Sequence, residues 1–168
     1  MSETEIKDSI HKLNLNNKNS VIIDDTGKSI ACFAIKDNVA IDNKIIKQLK
    51  NLSQELGKKD IRICLHNNRD SNLHNMINLI YRREENIPHK HIDKSESYHI
   101  IEGRMIITIF DDKGTIKDEC LLDEDDTFLF RIGENTFHTT VPKTEYVIFH
   151  ETRPGPFLKD GDSIFLIE

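Results

Sequence analysis

The sequence is short of what a disulfide scaffold needs. It has three cysteines, Cys32, Cys64 and Cys120, an odd number at wide spacing with no CxxC pair. That argues against a disulfide framework and against a zinc ribbon, and it suits a reducing compartment. No stretch approaches the roughly 18–20 consecutive apolar residues of a membrane span. Residues Met1 to Lys18 are polar and charged and lack the apolar core of a secretory signal. No long Lys/Arg run occurs, and the net charge of -6 offers nucleic acid no basic footprint. Internal repeats and low-complexity linkers are missing too. These absences predict a cytoplasmic protein with no membrane or nucleic-acid partner.

What is present suits one domain. The chain has 168 residues, of which 37% are hydrophobic and 31% charged, enough to bury a single core. Ile6, Ile10 and Leu13 are spaced for a short helix over residues 3–13, and the Asn-rich residues 14–19 end it. Val21–Ile23 and Ile30–Ile35 are β-rich runs either side of Asp24-Asp25-Thr26-Gly27, which predicts a hairpin. Asp42 is placed to cap a helix carrying Ile45, Ile46, Leu49, Leu52 and Leu56, and Gly57 stops it. From residue 60 onward the chain reads as strand after strand. The strands fall over 61–66, 76–82, 97–101, 104–110, 115–122, 127–132, 137–141 and 146–152, with turn residues between them. Many short, evenly punctuated strands predict a mainly β sandwich or barrel.

One stretch carries chemistry. In a strand, residues two apart face the same side, so His89-Lys90-His91 aims two imidazoles at one point. Glu96 follows after the four-residue turn Ile92–Ser95 and is expected to return on the neighbouring strand. His138 lies 42 residues after Glu96, behind the turn Gly133-Glu134-Asn135. Asn tolerates the left-handed conformation that glycine would otherwise supply there. A lone His-x-His pair on a strand is more often surface or satisfied core. Here His-x-His, four residues, Glu, six residues and Gly103 match the first cupin motif after its opening glycine, which is absent. The chain therefore resembles the cupin superfamily. The resemblance implies a single cupin (double-stranded β-helix, jelly-roll) barrel over residues 42–168, with residues 1–41 as a helical and hairpin extension. His89, His91, Glu96 and His138 would hold one divalent transition metal, and three imidazoles with a carboxylate suit Fe, Mn, Ni, Co, Cu or Zn. Octahedral coordination would leave two positions for water or substrate.

A closer resemblance rests on five segments taken together. They are Arg62-Ile63-Cys64-Leu65-His66, Pro88-His89-Lys90-His91, Lys94-Ser95-Glu96-Ser97-Tyr98-His99, Phe149-His150-Glu151-Thr152 and Pro154-Gly155-Pro156-Phe157. The chain resembles the WbuC family of cupin-fold metalloproteins over roughly residues 42–158. That resemblance implies a bacterial protein associated with O-antigen or capsule gene clusters, and a sugar derivative as its small-molecule substrate.

Around the metal, Tyr98 shares the parity of Glu96 and is expected to point inward; His99 would then point outward. Arg62 and His66 share one face of their strand, and alternation alone leaves open which face is the interior. His150 sits in the apolar strand Val147–Phe149 and reads either as a hydrogen-bonded core histidine or as a catalytic group. The expected roles are Tyr98 and His150 in catalysis, and Arg62 and His66 in substrate binding. Three functions compete. The first is a sugar isomerase or epimerase, in which an open metal polarises two adjacent oxygens while His or Tyr moves the proton. The second is an Fe(II) dioxygenase. The third is a non-catalytic, metal-dependent sugar-binding or sensor module. Barrels of this size commonly pair through a sheet, so a homodimer is expected.

Overall fold

The computed structural model describes residues 12–83, 87–158 and 161–166. The elements are β1 (Val21–Asp24), β2 (Ile30–Ala34), α1 (Asn43–Glu55), β3 (Ile61–Cys64), β4 (Leu73–Tyr81), β5 (His89–Lys90), β6 (Glu96–Glu102), β7 (Arg104–Phe110), β8 (Ile116–Asp123), β9 (Leu129–Ile132), β10 (Phe137–Pro142), β11 (Tyr146–Pro154) and β12 (Ile164–Phe165). The helix expected over 3–13 falls almost wholly outside the described residues. Every strand expected after residue 60 is present. Two short strands, β5 and β12, are added to them.

The strands form two sheets. One runs β1-β2-β3-β4-β11-β6-β9 and the other β12-β5-β10-β7-β8. All pairings from β3 onward are antiparallel, as a jelly roll requires. The hairpin β1–β2 forms as expected, and β2 then pairs in parallel with β3. Residues 21–34 therefore extend the larger sheet.

Alternation along the strands builds two cores on opposite faces of the larger sheet. Tyr98, Ile100, Met105, Ile107, Leu122, Ile132, Val147 and Phe149 fill the barrel between the sheets. Ile61, Ile63, Ile77, Leu79 and Ile148 point to the other side, where Ile45 and Leu49 of α1 cover them. The helix starts where Asp42 accepts hydrogen bonds from the backbone N–H groups of Lys44 and Ile45, a cap contributing about 1 kcal/mol. Gly103 closes the β6–β7 turn at a φ of +86°. A Cβ there would lie 2.7 Å from Thr144 Oγ1 and 2.8 Å from the Tyr146 carbonyl oxygen, so only glycine fits. The three cysteines are free; Cys32 and Cys64 are buried and Cys120 is half-buried. Among the described residues, no helix is long and apolar enough to cross a membrane.

Candidate metal centre

Three elements bring four side chains to one end of the barrel interior. His89 lies on β5 and His91 just beyond it. His138 on β10 pairs directly with His89 across the ladder, and the two imidazole centroids are 4.5 Å apart. Glu96 opens β6. The structure corrects one expectation here: β6 belongs to the sheet opposite β5, so Glu96 meets the histidines across the barrel, not from a neighbouring strand. The turn from Ile92 to Ser95 crosses between sheets. His89, His91 and Glu96 each offer a ligand atom, and these atoms lie within 4.8 Å of one another. Two ligands on opposite sides of one first-row ion, each at 2.0–2.3 Å, are about 4–4.6 Å apart, so the cluster is close to the size one ion needs. His138 joins through Glu96: its Nε2 is 2.6 Å from Glu96 Oε1.

Two of the imidazoles, those of His91 and His138, have Nδ1 turned to a backbone carbonyl. His138 Nδ1 donates to the Thr136 carbonyl at 2.9 Å. His91 Nδ1 donates to the Asp162 carbonyl, and its Nε2 accepts from Arg153 Nη1 at 3.1 Å. An arginine can only donate, so Nε2 of His91 carries the lone pair. In both rings Nδ1 is tied to backbone, the usual support for ligating histidines; at His91 a metal would take the lone pair that Arg153 contacts in this structure.

Charge favours the same conclusion. His138, Glu96 and His91 are 1%, 3% and 4% exposed, too deep for a bare carboxylate without a cation. Burial pushes the Glu96 carboxyl up, but His138, His91 and Arg153 outweigh it and hold Glu96 below its ordinary range. Burial, aided by His138, pushes His89 down to about 4, so that ring is a neutral imidazole. At His138 burial opposes protonation, and the Glu96 carboxylate overcomes it and raises the ring's pKa. Glu96 Oε1 and His138 Nε2, 2.6 Å apart, have no other partner. Either a proton on His138 or a metal ion shared by the two atoms would satisfy them, and the donor set fits a divalent transition metal.

An ionic cluster backs the His91 side. Asp162 accepts from Lys94 Nζ at 2.5 Å and lies 3.1 Å from Arg153 Nη1. Arg153 Nε is 3.6 Å from Glu151, whose other oxygen accepts from Asn78 at 3.0 Å. Burial raises the Glu151 pKa against the pull of Arg153. Glu151 pairs across the ladder with Tyr98. Burial, then Glu96 and Glu151, drive the Tyr98 phenol well above its ordinary value.

The other expected site residues separate by face. Tyr98 is in the barrel interior, as its parity indicated, and His99 is exposed. Arg62 on β3 and His66 just beyond it line the same narrow cleft, resolving the ambiguity of that strand. His66 stacks on His74 with centroids 4.2 Å apart. His150 is not brought to the cluster. It alternates with the inward Phe149 and Glu151, pairs with His99, and lies 3.2 Å from Thr152 Oγ1 on the outer face. Glu151 and Arg153 are the interior groups that sequence reasoning missed as site residues. Their parity with Val147 and Phe149 was the available signal.

Residues 41–122 match the model of a family described as Domain of unknown function (DUF6016). No curated protein matches the chain. Among solved structures it resembles CapF, crystallised with the inhibitor 3-isopropenyl-tropolone, at 15% identity and a TM-score of 0.53 over 64% of this chain and 32% of that one. It also resembles oxalate decarboxylase from Bacillus subtilis, at 20% identity and a TM-score of 0.46 over 58% of this chain and 24% of that one. The chain thus spans about a quarter to a third of the length of these solved chains. The fold is that of a cupin, a single jelly-roll barrel.

Proposed function

We propose that this cupin-fold chain is a metal-dependent protein acting on a sugar or nucleotide sugar by isomerase- or epimerase-type chemistry. The observation that carries the metal reading is the buried convergence of His89, His91 and Glu96, with His138 Nε2 against Glu96 Oε1. Resemblance to the WbuC family supports the wider setting, bacterial O-antigen or capsule synthesis. In this reading residues 42–168 are the cupin unit and residues 1–41 an extension packed on it.

A divalent ion held by these four residues would supply Lewis-acid polarisation of two adjacent substrate oxygens. The protein groups do the rest. Arg62 on β3 and His66 just beyond it bind and orient the substrate from the cleft they line. Tyr98 and Glu151, paired across β6 and β11 inside the barrel, are the groups that hold and move a proton. Arg153 sits between the Glu151 and Asp162 carboxylates and orients both.

Elemental analysis of the purified protein tests the metal assignment first. The expected result is close to one Fe, Mn, Ni, Co, Cu or Zn per chain. Incubation with nucleotide-linked ketosugars then tests the reaction. Isomerised product supports the proposal, and stoichiometric binding without turnover favours a sensor or binding module. Iron that consumes O2 with substrate favours a dioxygenase. We also propose a homodimer, for which light scattering should give twice the chain mass.

A further inference from the structure

The two spaces that adjoin the candidate metal centre have basic linings on a chain whose net charge is -6. A cavity of about 520 Å³ opens beside the cluster, and Lys28, Arg62, His89, Thr139, Thr140 and Ser163 line it. A narrow cleft continues behind it past Arg62, His66, Arg69, His74 and Arg153. Arg62 borders both spaces. No acidic side chain among the described residues lines either one.

The cations there are not equivalent. Arg69 is neutralised by Asp24 at 2.5 Å and Arg153 by Asp162 at 3.1 Å. Among the described residues Arg62 makes no ion pair, although it is half-buried. Lys28 has only the face of Phe165, with its Nζ 5.9 Å from the ring centroid. A half-buried guanidinium without an ion pair, beside three hydroxyl side chains and a metal-facing imidazole, matches an anionic oxygen group in a planar, bidentate way. Neutral sugar hydroxyls would add no negative charge to the pull it shares with the more distant Glu151.

The geometry points to Arg62 as the anion-recognition residue of this cavity, so that the substrate carries a carboxylate or phosphate in addition to the oxygens that reach the metal. The inference deepens the proposed function and rests on its metal assignment.

Three probes share one 2-hydroxycarboxylate and differ at the far end. Lactate has no second anion, malate adds a carboxylate, and 3-phosphoglycerate adds a phosphate. Calorimetric titration uses protein whose metal content has been measured. Malate or 3-phosphoglycerate should bind roughly ten- to hundredfold more tightly than lactate, the range of a charge-assisted hydrogen bond. The probe that gains identifies the group as carboxylate or phosphate. Arg62→Gln should erase that gain while leaving metal content unchanged, and Arg62→Lys should keep part of it. Metal-loaded protein that shows no gain, or a gain that survives Arg62→Gln, overturns the inference and leaves the metal assignment standing. Protein that purifies and reconstitutes without metal overturns both.

Discussion

The backbone N–H of Asn135 donates to the carbonyl of His91 at 2.7 Å. This one bond ties the turn ahead of His138 to the end of the His-x-His segment. It requires Asn135 to sit at a φ of +53°, in the left-handed region. A β-branched residue there is strained by roughly 1–2 kcal/mol, whereas glycine is not. Asn135→Val should therefore lower both thermal stability and metal content, and Asn135→Gly should preserve the metal. Equal metal content in the two variants would show that the turn does not position His138.

The four candidate ligands should separate in their effects. His89→Ala and His91→Ala should purify without metal. Glu96→Gln replaces a charged ligand by a neutral amide, and should weaken binding by more than the roughly 10–100-fold typical of an outer-shell partner. His138→Ala should behave like the other two histidines, because its Nε2 is 2.6 Å from Glu96 Oε1. Elemental analysis after dialysis reads all four. Full metal retention by His138→Ala would remove it from the ligand set.

Much of this site was legible in the sequence because its logic is local. The spacing of His89, His91, Glu96 and Gly103 reflects strand parity and turn length, and Asn135 reflects a turn that needs a left-handed residue. What was not legible depends on distant pairing. His91 and Asp162 are 71 residues apart, and Lys94 and Asp162 are 68 apart. No periodicity links such positions. The sheet to which Glu96 belongs was hidden for the same reason, since a turn of given length can close a hairpin or cross between sheets. His150 was ambiguous because parity within β11 says which residues share a face without saying which face is inside.

The stacked His66–His74 pair makes stability depend on pH. Burial, and then the neighbouring His74, push His66 down to about 4 in the folded protein. An unfolded histidine titrates near 6.5. Below about pH 6.5 the unfolded chain takes up a proton that the folded one refuses, so stability falls as the pH drops from about 6.5 to about 4. Urea denaturation at several pH values should show this decline. His66→Phe should reduce its slope by up to about one proton. An unchanged slope would mean that the pair is already solvated.

Asp162 offers the severest test of the cluster behind the metal centre. Its side chain is 4% exposed, and it faces Lys94 at 8% and Arg153 at 11%. Asp162→Asn keeps the shape but leaves two buried cations facing a neutral amide. Breaking one side of a buried ion pair typically costs about 3–5 kcal/mol, because the remaining charge is left uncompensated. Denaturant unfolding should show a loss in that range. The metal should respond less. The His91 ring is held by the backbone carbonyl of residue 162, which the substitution retains, so metal affinity should fall by no more than roughly 10–100-fold. Lys94→Met added to Asp162→Asn should recover part of the lost stability by removing one orphaned cation. If the double variant is no more stable than Asp162→Asn alone, Lys94 is already screened by water and the cluster is not the dry ion network its geometry describes.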